Sequence, residues 1–246
     1  MTKSDDRRVA KLKGLVFDKD GTLFDFDATW SAWTKSFLMD LSGGSLAKAN
    51  RLGEAIGFDC RNVRFDPSSP VIAGTLVEVA DILLPHLPGT TTAGLVTHMN
   101  ATAARAPQAE VVPLVPFVEG LAVRGLALGV ATNDAESSAR AHLSSVGILK
   151  QFDFVAGCDS GFGAKPKPGQ LLAFADAMNL RPEHCAMVGD SRHDLSAARA
   201  AGMFSIGVLT GLASEADLSP FADVVLADIG ALPAWLDAAA KLESAA

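Results

Sequence analysis

Apolar residues along this chain follow two rhythms. Short unbroken runs predict buried strands at Leu12–Asp18, Leu126–Thr132, Phe152–Ala156, Cys185–Val188, Phe204–Leu209 and Asp223–Leu226. Between the later runs, spacings of three and four predict helices over Phe117–Gly125, Ala135–Val146, Gln170–Asn179, His193–Ala201 and Ile229–Leu242, with a loop at Gly161–Gly169. Alternation of this kind implies an α/β fold: an open, mainly parallel, Rossmann-like sheet with helices on both faces.

One stretch departs from that rhythm. From Phe26 the spacing is helical, and Trp30, Trp33, Phe37, Leu38 and Leu41 form one apolar stripe. Ser45 is placed to cap a second helix carrying Leu46, Ala49 and Ile56. Thr75 caps a third, with Leu76, Val79, Leu83 and Leu84 on one side, ending near Pro85–Gly89. Thr90 or Thr91 opens a fourth that runs towards Arg105, while Gly57–Pro70 reads as an ordered loop or short extended pieces. The expected division is an α/β core from residues 1–25 and 111–246 and an inserted helical cap from 26–110.

Composition narrows the class. A length of 246 residues suits one core with a smaller module, and 49% apolar with 20% charged residues excludes a disordered chain. The net charge of −7 disfavours nucleic acid as a partner. Cys60, Cys158 and Cys185 are far apart with no CxxC, so neither a disulfide framework nor a zinc site is expected. The most apolar stretch, Val111–Thr132, is broken by Pro113, Pro116, Glu119 and Arg124, which excludes a membrane helix there. Arg7-Arg8 lies in a short charged N-terminal segment, Met1–Lys13, with no export-type apolar segment after it. A soluble cytoplasmic protein, monomer or homodimer, with neither membrane nor nucleic-acid partner is the expectation.

Four polar clusters then stand out, each at or shortly after a predicted strand end: Asp18-Lys19-Asp20-Gly21-Thr22, Thr132-Asn133, Lys165-Pro166-Lys167-Pro168, and Gly189-Asp190 with Asp194. In open parallel sheets, ligands bind beyond the carboxyl ends of the strands. In their quoted context, FDKDGTLFD (17–25), ATND (131–134), GAKPKPG (163–169) and GDSRHDL (189–195), the clusters resemble the haloacid dehalogenase-like superfamily, in particular its phosphatases of the phosphoglycolate phosphatase type. All four motifs match in order, and the helical insert lies where the family carries its cap.

The resemblance implies a phosphatase acting on a small-molecule phosphate monoester, with 2-phosphoglycolate the best single candidate. A sugar phosphomutase shares every core motif and is the rival enzyme. A catalytically silent phospho-ligand-binding member is a rival of another class, although it should lack Asp18 or Asp20, and both are present. The resemblance gives Asp18, Asp190 and the Asp20 backbone carbonyl to Mg²⁺, with Asp194 a nearby supporting carboxylate. Mg²⁺ favours a few carboxylates, waters and substrate phosphate.

The residues suit this chemistry in their own right. The Asp18 carboxylate can attack phosphorus and split hydrolysis into two easier steps through an aspartyl-phosphate. Asp20, two residues on, suits general acid and then general base. Gly21 permits the turn and Thr22 steadies it. Thr132 and Asn133 offer hydroxyl and backbone N–H groups to phosphoryl oxygens, and equally could cap a helix. Lys165 supplies a compact positive charge, with Lys167 the competing lysine. Arg51, Arg61, Arg64 and Arg105 are candidate anion anchors in the cap, and the Trp30/Trp33/Phe37 stripe is either cap core or pocket wall. Hinges near Phe24–Asp27 and Glu110–Pro113 would let the cap gate the site.

Overall fold

Strand β1 (Gly14–Phe17) is apolar at every position because it is the inner strand of a parallel sheet and is covered on both faces. The computed structural model describes residue 9 and residues 11–244; Arg7-Arg8 lies outside the described residues. Six strands, β1, β4 (Ala127–Ala131), β5 (Phe154–Ala156), β6 (Cys185–Gly189), β7 (Phe204–Val208) and β8 (Val224–Leu226), form one sheet in the order β5-β4-β1-β6-β7-β8. Every pairing is parallel. The six predicted apolar runs are these six strands.

The side chains of β1 divide by parity, as a pleated strand requires. Leu15 and Phe17 join one apolar cluster with Leu128, Val130, Val188 and Ile206. Val16 joins the cluster on the other face, with Leu171, Phe174 and Met187. Gly14 and Gly129 make room for Phe174: a Cβ on either would stand 2.8 and 2.6 Å from its ring. The register sets Phe17 beside both Val130 and Val188. The residues just beyond, Asp18, Ala131-Thr132 and Gly189-Asp190, therefore emerge at one edge of the sheet.

Helices α5 (Leu114–Val123), α6 (Glu136–Ser145), α7 (Gly169–Ala177), α8 (Arg192–Ala201), α9 (Glu215–Leu218) and α10 (Leu232–Ser244) connect and cover the strands. Helix α5 begins three residues before the expected Phe117. Pro116 stands in its first turn, where a missing N–H costs nothing, and the Glu110 carboxylate accepts from the Leu114 N–H at 2.7 Å.

Between β1 and α5 the chain forms α1 (Phe26–Leu41), α2 (Leu46–Ala55), a small hairpin of β2 (Phe58–Asp59) and β3 (Arg64–Phe65), α3 (Leu76–Leu83) and α4 (Thr92–Ala103). Asp25, Ser45, Thr75 and Thr91 cap the four helices through their side chains. Thr75 and Glu78 complete a reciprocal capping box. These helices share an apolar cluster of their own, built on Trp30, Phe37, Leu38, Leu52, Val79, Leu83, Leu95 and Met99. The outgoing and returning segments run side by side: Asp25 N–H donates to Ala109 O at 2.8 Å and Val111 N–H to Leu23 O at 3.1 Å. Among the described residues no helix is long and apolar enough to cross a membrane.

Candidate active site

The sheet edge gathers the predicted residues. Asp18, Asp20, Thr132, Asn133, Lys165 and Asp194 line a single cavity between the strand ends and the helices of 26–103. Lys165, 4% exposed, is the electrostatic centre of its floor. Its Nζ lies 2.7 Å from Asp18 Oδ1 and 2.6 Å from Asp194 Oδ1. Burial alone would pull the ammonium's pKa down, but Asp18 and Asp194 outweigh it and hold the pKa above its usual value. Lys165 is a cation here.

Asp18, Asp190 and Asp194 place one carboxylate oxygen each within 4.8 Å of one another. Burial, then the charge of Asp194, raises the Asp18 pKa to about 7 despite Lys165. Burial and the neighbouring Asp18 and Asp194 also push Asp190 well above its ordinary value. Three clustered carboxylates with one lysine between two of them are short of positive charge. That donor set, all hard oxygen, fits a divalent cation such as Mg²⁺. Asp190 is reached by Thr22 Oγ1 at 3.4 Å. Gly21, at φ 76°, passes so close that a Cβ would collide with the Asp190 carboxylate, and the same holds for Gly211. The turn after Asp20 is thus glycine for two independent reasons.

Asp20 points elsewhere. Its carboxylate oxygens lie 2.6 Å from the Nζ of Lys19, and Oδ1 also accepts from Trp30 Nε1–H at 2.8 Å. Lys19 is fully buried, lies 3.1 Å from Asp134 Oδ2, and sits 5.3 Å from the centre of the Trp30 ring. Burial works against its charge, yet Asp20 and Asp134 keep its pKa above the usual lysine value. Two lysines therefore divide the carboxylates: Lys165 serves Asp18 and Asp194, Lys19 serves Asp20 and Asp134. Beneath Trp30, burial and then Lys19 lower His142 to about 4, and its Nε2 meets Ala103 O at 2.8 Å. His142 is neutral.

Asn133 is spent on positioning. Its amide donates to Lys165 O at 3.0 Å and to Ala73 O at 2.8 Å, and its Oδ1 accepts from Lys165 N–H at 2.9 Å. Both amide hydrogens are used, so its side chain fixes the lysine loop and leaves only its backbone for a phosphate. Thr132 Oγ1 accepts from Asp134 N–H at 3.1 Å, the turn-capping role, while its hydroxyl hydrogen stays available to the cavity it lines. Asp194 accepts from Ser191 N–H and Oγ at 3.0 and 2.6 Å, a capping box that opens α8. Its other oxygen, Oδ1, faces Lys165, so capping and charge pairing coexist in one carboxylate.

Several participants escaped sequence reading. Lys19 and Asp134 lie inside quoted motifs, yet nothing in their spacing revealed that they pair. Ala73 belongs to a loop with no motif. His193, by contrast, lies inside the GDSRHDL motif that the sequence sets near the cleft, and it lines the cavity. The arginines of residues 26–110 do not: Arg61 and Arg64 line a separate surface pocket with Phe58 and Pro67, and neither Arg51 nor Arg105 lines the cavity of Asp18.

The central parallel strand thus delivers Asp18, a nucleophile candidate, beside a buried lysine and two further aspartates at the edge of an open α/β sheet. Residues 12–202 match the haloacid dehalogenase-like hydrolase family, and the chain belongs to it. It is 37% identical over 116 residues to a phosphoglycolate phosphatase of Rhodospirillum rubrum, covering 47% of this chain and 48% of that one. It is 40% identical over 91 residues to the phosphoglycolate phosphatase of Escherichia coli K12, covering 37% and 36%. The chain thus spans about half, or less, of the length of these curated relatives. Among solved structures, a predicted phosphoglycolate phosphatase from Haemophilus somnus 129pt matches with TM-score 0.69 and 18% identity over 92% of this chain and 98% of that one. A β-phosphoglucomutase from Clostridium difficile matches with TM-score 0.65 and 16% identity over 96% and 100%. Both likenesses speak for the fold.

Proposed function

We propose that this chain is a Mg²⁺-dependent phosphatase that hydrolyses a small phosphate monoester through an aspartyl-phosphate on Asp18. The observation that carries the reading is the position of Lys165 Nζ, 2.7 and 2.6 Å from Asp18 and Asp194, at the mouth of the central strand. A buried cation and a cluster of hard oxygen donors there suit a phosphate dianion that must approach an anionic nucleophile. The similarity to named phosphoglycolate phosphatases supports the same class.

In the first step Asp18 forms a bond to phosphorus and the bond to the leaving oxygen breaks. Asp20 gives that oxygen its proton, so the alcohol departs neutral. In the second step a water, deprotonated by Asp20, attacks phosphorus. The bond to Asp18 breaks, inorganic phosphate leaves, and both carboxyl groups return to their starting states. This reading is supported by Lys19 and Trp30, which engage the Asp20 carboxylate apart from the Asp18, Asp190 and Asp194 cluster. Lys165 holds the phosphoryl oxygens, with Thr132 and the Asn133 backbone as further donors. Asp18 and Asp190, with the Asp20 carbonyl, would hold Mg²⁺, and Asp194 supports them. When bound, Mg²⁺ supplies positive charge that offsets the dianion and the nucleophile together.

Residues 26–110 act as a cap that closes over the site, hinged where Asp25 and Val111 cross beside Ala109 and Leu23. Closure keeps water away from the first step, and opening admits it for the second. The three thiols are free, which suits a reducing compartment such as the cytoplasm. The test is turnover of p-nitrophenyl phosphate by chelated protein with and without added Mg²⁺. The reading expects no turnover in chelator and recovery with Mg²⁺; full activity in excess chelator contradicts the metal role.

A further inference from the structure

The cavity has one charged wall and one apolar wall. Opposite Asp18 and Lys165 it is lined by Trp33, Phe37, Leu38, Ile72, Val79 and Met99. Trp33 and Phe37 stack with centroids 5.0 Å apart at an interplanar angle of 9°, an aromatic pair within that wall. Among the described residues, the single lysine or arginine on the cavity wall is Lys165, which Asp18 and Asp194 already engage. His193 lines the core side. The cap side thus offers no formal positive charge to a second anionic group on the substrate.

Two residues of this wall also carry a buried polar atom. Trp33 Nε1 and Thr34 Oγ1 are buried without a hydrogen-bond partner, and both residues line the cavity. Buried polar groups are nearly always satisfied, so unpaired groups beside a cavity call for a partner. Trp33 Nε1–H can only donate, so the partner it needs is an acceptor.

We infer that the leaving group of the substrate is an uncharged, ring-bearing alcohol with one neutral hydrogen-bond acceptor, rather than glycolate or a sugar. This rests on the phosphatase reading above and names its substrate class. A carboxylate would enter the apolar half without a counter-charge, which burial penalises heavily. A sugar would bury several hydroxyls against a wall whose side chains are apolar except at Trp33 and Thr34. A ring would stack or pack on Trp33 and Phe37.

The experiment compares 2-phenylethyl phosphate, 2-phosphoglycolate and glucose 6-phosphate with Mg²⁺, and uses p-nitrophenyl phosphate as a class control. All three test esters have poor alkoxide leaving groups, so the pocket decides between them. The inference expects kcat/KM for 2-phenylethyl phosphate to exceed the other two by about 10²-fold, the span a hydrophobic pocket commands. Ile72→Arg, at a half-buried position on the wall, should narrow that preference towards 2-phosphoglycolate. Equal or better turnover of 2-phosphoglycolate or glucose 6-phosphate by the wild-type protein overturns the inference while leaving the phosphatase reading intact. If even p-nitrophenyl phosphate is inert, the phosphatase reading falls and takes the inference with it. The wild-type comparison decides the matter even if the arginine variant does not fold.

Discussion

The two walls of the central cavity are built on opposite principles. On the sheet side, Asp18, Asp20, Asp134 and Asp194 are paired with two buried lysines, and burial is the first cause that raises the pKa values of Asp18 and Asp134. On the helical side, Trp33, Phe37, Leu38 and Val79 line the same space and carry no charge. The first wall is costly to maintain, because each buried charge depends on a neighbour. The second is maintained by ordinary apolar packing within the cluster of 26–103. Under the proposed function the contrast separates the work: the charged wall would set the rate for any monoester, and the apolar wall which monoester enters.

That separation can be broken experimentally. The largest expected effect is on the charged wall. Asp20→Asn should slow hydrolysis of poor-leaving-group esters by about 10²–10⁴-fold, whichever alcohol is used. An effect confined to one substrate would mean that Asp20 selects rather than catalyses. Lys165→Met removes the partner of buried Asp194 and of half-buried Asp18. In chelator it should cost roughly 3–5 kcal/mol of stability, read from urea unfolding. An unchanged midpoint would show that the ion pairs are not what holds this edge together.

A smaller effect follows from pH. Asp18 moves from 3.8 to about 7 on folding, so the folded state keeps its proton longer than the unfolded state. Its contribution to stability is therefore fullest below pH 3.8 and is lost as pH rises towards about 7. Asp190 shifts in the same direction. Mg²⁺ should offset the resulting repulsion, so it should raise the unfolding midpoint more at pH 8 than at pH 5. An equal rise at both would place the ion elsewhere. The smallest effect belongs to the apolar wall: Trp33→Phe keeps the ring but loses the N–H. It should lower kcat/KM by several-fold, about 1 kcal/mol, only for esters whose alcohol bears an acceptor. A uniform loss would assign Trp33 to cap packing alone.

Much of the fold was legible because local and global signals agree. The six parallel strands are apolar on both faces, so they read as runs rather than alternations. Ser45, Thr75 and Thr91 announce three of the four helices of 26–103 by capping chemistry that acts within three residues. The start of α5 was misplaced because Pro116 reads as a breaker, whereas a first-turn proline breaks nothing. The β2–β3 hairpin was not resolved because two-residue strands carry no periodicity.

The site was legible to the extent that its residues follow strand ends. Asp18, Thr132, Asn133, Lys165, Asp190 and Asp194 converge because parallel strands in register bring their ends together. The pairing of the lysines was hidden. Lys19 and Asp20 are neighbours in sequence, but their side chains meet only because Trp30 and Asp134 close around them. The Trp30/Trp33/Phe37 stripe was ambiguous for a physical reason: cap core and pocket wall require the same spacing. In the structure it serves as both, since Trp30 and Phe37 belong to the helical cluster and all three line the cavity.

The central claim is that two aspartates two residues apart divide the chemistry, Asp18 as nucleophile and Asp20 as proton carrier. Intact-protein mass spectrometry after rapid acid quench tests it most directly, using Asp20→Asn and Asp18→Asn incubated with Mg²⁺ and an activated aryl phosphate. An aryl leaving group needs little protonation, so Asp20→Asn should still be phosphorylated but dephosphorylate slowly. The account predicts a phosphoryl adduct in Asp20→Asn, mapped by peptide sequencing to Asp18, and no adduct in Asp18→Asn. An adduct in Asp18→Asn with none in Asp20→Asn would show that the two roles are reversed.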